Sequence, residues 1–331
     1  MNRVVRAAPF VVALFAVCVS AAPAPAQAPA QAPAQTWPTR PVKFIIPFGP
    51  GAGADIGARL IQEKLSARWG QPVIIENRPG GDSMVAIQTF LAANDDHTFL
   101  WAPSGNFTVH PTLYQKLPYD PADIIPIARF SNTILAVGVP AAMNINSLKE
   151  FVVRGLAENG KWNGTAVPGV TDFAFDYFAK TEGLTIAKVP YRDTVQAAND
   201  LGEARIQVYA SSYAILRPQT QAGRIKVLAV MGRDRVPSLP DIPSGVEEGY
   251  PSLDMEGLVG LFGIKDMPEA LREKIAADVV AAAKDPAVAE KLSATAQQPN
   301  SGGPKEFAES IRRQKERIAT IAQAVGIKAK Q

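Results

Sequence analysis

The stretch FIIPFGPGAGADIGARL, residues 44–60, sets four glycines and two prolines between a short apolar run and the start of a helical pattern. A loop stripped of side chains lets a ligand approach the backbone closely. The first turn of the helix behind it offers unpaired N–H groups and the positive end of a dipole. That is chemistry for an anion. Phe48, Gly49, Gly51, Ala52, Gly53, Ala54 and Asp55 are therefore the first candidate ligand-binding residues, with Asp55 read as an N-cap and loop organiser ahead of a ligand contact. N–H groups bonded to a carboxylate contribute roughly 1.5–3 kcal/mol each and the helix end about 0.3–1. Two or three such bonds, less ordering costs, suffice for micromolar binding, about −8 kcal/mol.

Other residues could extend the site. Ser211 and Ser212, with Tyr213, end a predicted strand, and ligands of open α/β sheets bind at such ends. Arg192, in VPYRD, could pair bidentately with an anionic group or lie on the surface. Trp101 and Phe107 could face a solute ring or belong to the core. Enzymatic readings find little. Gly49, Gly51 and Ala54 fit G-x-G-x-x-A, and Glu76 ends the next strand as a ribose-binding acid would, but Pro50 interrupts the turn and the N-terminus argues for export. No Gly-Lys-Ser/Thr follows the loop. His97 and His110 are the only histidines, no G-x-S-x-G surrounds Ser104, and no His or Cys pair has metal-ligand spacing. No catalytic residue, metal ligand or cofactor is assigned, and the chain is read as a binding protein rather than an enzyme.

Arg3 and Arg6, an apolar run over residues 7–20 and small residues after it make a secretory signal peptide over residues 1–26. Its removal takes away Cys18, the single cysteine, and lowers the formal charge from +3 to +1 by the two arginines. Nothing in that balance recruits nucleic acid. Residues 27–38 are a Pro/Ala/Gln-rich spacer.

These residues must be positioned by alternating elements. Strands are predicted over residues 42–47, 72–76 and 98–102 with helices over 55–69 and 83–92 between them, the signature of a parallel α/β sheet. The pattern restarts with a helix over 147–158, strands near 165–167, 186–189, 206–209 and 226–231, and a helix over 194–201. GLVGLFGI, residues 257–264, is one more strand, and residues 268–324 read as wholly helical. A helical block with no sheet of its own must pack on an earlier one. The expectation is two α/β lobes, residues 39–138 with 262–331 and residues 139–261, joined by two hinge crossovers around a cleft.

WPTRPVKFIIPFGPGAGAD, QPVIIENRPGG, YQKLPYDPADIIPIA, VPYRDTVQAANDL, AGRIKVLAVMGRDRVPSLPDIPSGVEEGYP and the terminal AGIKAK together resemble the extracytoplasmic solute-binding proteins of tripartite tricarboxylate transporters, the Bug family. The resemblance implies a two-lobed, type II-like periplasmic-binding-protein fold. It implies a monomer that closes on a small organic carboxylate (a di- or tricarboxylate, an amino acid or an aromatic acid) and hands it to the transporter's membrane subunits. Signalling to a membrane kinase is the alternative outlet.

In such proteins a second loop helps hold the carboxylate, which here falls on residues 103–106 with Ser104, Gly105 and Asn106. The second-lobe loop falls on Pro168, Gly169, Thr171 and Asp172. Two departures stand out. Ala54 lacks the hydroxyl usual before the Asp, and Asp172 stands where a histidine is common; in the cleft it would disfavour a second solute carboxylate, and otherwise it is a solvated residue of a first helical turn.

Overall fold

Glycine and proline punctuation sets the first elements. In the computed structural model, which describes residues 37–191 and 193–327 with Met1 and Ala329, Val42–Ile46 forms β1. The bare loop behind it leads into α1, Gly53–Trp69, which left-handed Gly70 closes. β2 (Val73–Asn77), α2 (Met84–Ala93) and β3 (Thr98–Pro103) repeat the unit. Two single-turn helices, α3 (Gly105–Thr108) and α4 (His110–Leu113), precede β4 (Ile124–Thr133) and β5 (Leu135–Pro140). The expected signal peptide after Met1, the spacer up to Thr36 and Arg192 lie outside the described residues.

The second lobe continues with α5 (Leu148–Ala157), whose Ser147 side chain caps the Glu150 N–H, then β6 (Trp162–Ala166), α6 (Val170–Thr181) and β7 (Ile186–Lys188). α7 (Thr194–Gly202), capped by Asp193, precedes β8 (Val208–Ser212), α8 (Tyr213–Gln221) and β9 (Ile225–Val230). The chain returns in β10 (Gly257–Ile264), α9 (Glu269–Ala283), α10 (Pro286–Ala294), β11 (Gln297–Gly302) and α11 (Pro304–Val325). Among the described residues no helix is long and apolar enough to cross a membrane.

Two mixed sheets result. The first has six strands in the order β11-β4-β10-β3-β1-β2, and the second five, β7-β6-β8-β5-β9. The mainly parallel reading holds for β2-β1-β3 and for β7-β6-β8. β10 is antiparallel to β3 and β4, β11 to β4, and β5 to β8 and β9. The antiparallel strands are those around the crossings. The first crossing runs from Thr133 to Leu135 and the second enters β10 at Gly257.

The terminal block is not wholly helical. β11, QQPNSG, pairs with β4 through an irregular register between Pro299 and Gly302. Nor does the block belong to one lobe. Phe307 and Ile311 of α11 pack with Phe262 and Leu258 under the first sheet, whereas Ile318 and Ile321 complete the core of the second lobe with Phe178, Leu253 and Phe151. An amphipathic helix this long can cover two cores with one stripe.

Candidate functional site

The C-terminal ends of β1 and β3 face one way because the two strands are parallel neighbours, which brings the loops behind them to one rim. In the first loop Ala52 occupies the N-cap position without a side-chain bond, and Gly53, Ala54 and Asp55 are the first helical residues. Their N–H groups are the orphan donors of the helix start. Asp55 is thus the third helical residue rather than the N-cap. Its carboxylate folds back to accept from the Gly51 N–H (2.8 Å), Arg59 Nε (2.9 Å) and Asn77 Nδ2 (2.9 Å). Burial pushes the carboxyl up, but those hydrogen bonds and the charge of Arg59 outweigh it and hold it below the usual range. With 1% of its surface exposed, Asp55 cannot contact a ligand. It shapes the loop, and Arg59 cancels the negative charge it would otherwise present to a bound anion.

The rest of the loop is tethered through its carbonyls. Phe48 O accepts from Asn77 Nδ2 (2.8 Å), Gly53 O from Gln297 Nε2 (2.9 Å) and Ala54 O from Trp101 Nε1 (2.8 Å). The Ala54 methyl is itself buried. Carbonyls held by the protein leave the N–H side for a ligand. Gly49, Gly51 and Ala52 remain at the surface of the loop.

The second loop is bound more tightly than the sequence suggests. Ser104 is fully buried, its N–H donates to Leu258 O (2.8 Å), and its hydroxyl donates to Gln314 Oε1 (2.7 Å). The side chain of Ser104 is therefore a tether and not a ligand contact. Asn106 donates through Nδ2 to the Ser83 hydroxyl. Gly105 lies against the other lobe: a Cβ there would stand 3.0 Å from Val170 Cγ1 at the start of α6. The structure thus brings the 103–106 and 168–172 loops face to face.

In the second lobe Val167 N donates to Ala210 O (3.0 Å), which places the turn at Pro168 and Gly169 beside the end of β8. Gly169 has φ 110 and ψ −145, a conformation reserved for glycine. Thr171 is buried. Asp172 pairs with Lys188, which also holds Asp176 at 2.7 Å. Burial pushes the Asp172 carboxyl up, the charge of Asp176 adds to it, and Lys188 offsets part of the rise. Asp172 is therefore not a lone solvated carboxylate: it shares a cation with Asp176. Ser211 is fully buried beside Tyr209 on β8, and Ser212 opens α8 without a side-chain cap. Trp101 and Phe107 are core: Trp101 stacks on Phe44 (5.6 Å, 11°), and Phe107 meets Phe262 edge-on (4.8 Å).

A family model described as tripartite tricarboxylate transporter family receptor matches residues 57–327. The chain belongs to that family. A UPF0065 protein of Bordetella pertussis is 30% identical to the receptor over 88% of this chain and 92% of its own. A solved structure described as a periplasmic transporter is 28% identical, with a TM-score of 0.76 over 88% of this chain and 99% of its own. An R. palustris protein solved with adipate is 24% identical, with a TM-score of 0.77 over 89% of this chain and all of its own. The receptor accordingly has the two-lobed periplasmic-binding-protein fold, in a family of transport receptors rather than enzymes.

The receptor also carries a cavity of about 690 Å³ between the crossings and α11, lined among others by Asn132, Glu256, Arg313, Gln314 and Arg317. None of the loop residues predicted from the sequence lines it. Its wall alternates cations with acids, Arg233 resting 3.3 Å from Asp254, so it lacks the uncontested donors of the α1 start. Sequence reasoning missed Asn77, Arg59, Lys188, Gln297 and Gln314. Asn77 and Lys188 stand at the ends of predicted strands, where a polar side chain at the rim was a usable signal. The two glutamines gave none.

Proposed function

We propose that the receptor captures a small organic carboxylate in the cleft between its lobes, in the periplasm, as a monomer, and delivers it to the membrane subunits of a tripartite transporter. One carboxylate is held by the N–H groups of Gly53 and Ala54 at the start of α1 and by the backbone of Gly105 and Asn106, and the second lobe closes over it from Gly169–Thr171 and Ser212. The observation that carries this reading is the folding back of Asp55 onto Gly51 and Arg59, which leaves the helix start open and its local charge cancelled. A carboxylate placed there meets backbone donors and a favourable dipole. The R. palustris protein with adipate supports the ligand class.

The test is a thermal-melt screen of the mature chain against mono-, di- and tricarboxylates, amino acids, aromatic acids and nucleotides. A ligand at about 100 times its dissociation constant adds roughly 2.7 kcal/mol, which raises Tm measurably. Stabilisation by carboxylates alone supports the reading. Silence for every carboxylate, or a response to dinucleotides, refutes it.

A further inference from the structure

Two glutamines of the C-terminal block are almost wholly buried, Gln297 at 2% and Gln314 at 5% exposure, and each sits between one of the two first-lobe loops and one lobe crossing. Gln297, on β11 opposite Thr133, donates Nε2 to Gly53 O (2.9 Å) and accepts through Oε1 from the Ser131 hydroxyl (3.0 Å) near the end of β4. Gln314, on α11, accepts through Oε1 from the hydroxyls of Ser104 (2.7 Å) and Thr108 (2.9 Å), and donates Nε2 to Glu256 O (2.9 Å) at the entry to β10. The crossings are joined in turn, because Asn132 Nδ2 donates to Glu256 Oε1 (3.0 Å).

We propose that Gln297 and Gln314 are positioning residues that tie the two carboxylate loops to the two lobe crossings, so that filling the loops biases closure of the lobes. An amide suits this post because one neutral group offers both an acceptor and a donor, satisfying a hydroxyl on one side and a carbonyl on the other. Buried polar groups left half-satisfied are costly, so loop and crossing must shift together or break the bond. α11 extends the link, since the helix that carries Gln314 also supplies Ile318 and Ile321 to the second-lobe core. The inference rests on the carboxylate reading for what fills the loops, but the mechanical link is testable without any ligand.

The experiment is amide hydrogen exchange on the ligand-free mature chain and on the variants Gln314→Leu, Gln314→Glu and Gln297→Leu. Gln314→Leu is expected to lose protection at residues 104–108 and 256–258 together, while 53–57 and 131–134 stay at the wild-type rate; Gln297→Leu gives the reverse. Gln314→Glu keeps the acceptor for the two hydroxyls and loses the donor, so only 256–258 speeds up. A uniform rise across the first lobe, or no change in either pair of segments, overturns the proposal. With adipate as the probe, each leucine variant is expected to bind about tenfold more weakly. If the wild type ignores adipate and every other carboxylate, the carboxylate reading fails by itself and the exchange pattern still decides the link.

Discussion

Replacing Asp55 by Asn tests the organisation of the first loop most directly. The carboxylate accepts three hydrogen bonds, from the Gly51 N–H, Arg59 and Asn77, at 2.8–2.9 Å. Hydrogen bonds to a charged group contribute about 1.5–3 kcal/mol each, but Gly51 is exposed and the Arg59 side chain is 45% exposed, so both donors regain water when the charge goes. The amide keeps one acceptor and turns an N–H₂ towards a donor. A net loss of about 2–4 kcal/mol at pH 7 follows, at the upper end for a single substitution.

The pH dependence has a definite sign. The folded-state carboxyl is held below its ordinary range, so its stabilisation is complete above the unfolded value near 3.9 and is lost as pH falls through the lower folded value. Urea unfolding of wild type and variant, followed by tryptophan fluorescence, should show a gap that is full at pH 7 and narrows below about pH 4. A gap under about 0.5 kcal/mol at neutral pH, or one that widens on acidification, refutes the assignment of Asp55 as the loop's organiser.

Gly169→Ala forces a side chain into a glycine-only conformation and should cost about 1–3 kcal/mol, with weaker carboxylate binding; calorimetric titration and melting check both. Gly105→Leu drives a side chain into Val170 and should hold the lobes apart, weakening ligand at least about tenfold while leaving unfolding of the first lobe little changed, as scattering and titration would show. Lys188→Met leaves Asp172 and Asp176 facing each other. The Asp172 carboxyl, already raised, rises further, so the loss of stability should be largest at neutral pH and shrink as pH falls through that raised value, read from melts across pH. Trp101→Phe removes the buried bond to Ala54 O and should cost about 1–2 kcal/mol in urea unfolding.

What was legible in the sequence was what punctuation and periodicity mark. β1, the glycine-rich loop and α1 announce themselves through Pro47, Gly51 and the apolar spacing from Ile56 to Leu65. β4 and β5 were harder, because IIPIARFSNTILAVGVP is buried on both sides of its sheets and shows no alternation. β11 holds no β-branched or aromatic residue; its pairing is imposed by β4 and not by propensity. The partners of Ser104 and Asp172 were not legible, for a common reason. Each is answered by a residue far along the chain or across an element, Gln314 and Lys188, and no local pattern records such a partner.

The division of α11 between the two cores reaches beyond ligand capture into how the chain acquires its shape. α11 follows every other described element along the chain, and without it Phe307, Ile311, Ile318 and Ile321 are missing from the two cores. Both cores therefore wait on contacts of long sequence separation, which make for slow folding. A chain cut before Pro304 should stay loose in both halves at once, so the two lobes, though separate in their sheets, are joined in the act of folding by a single helix.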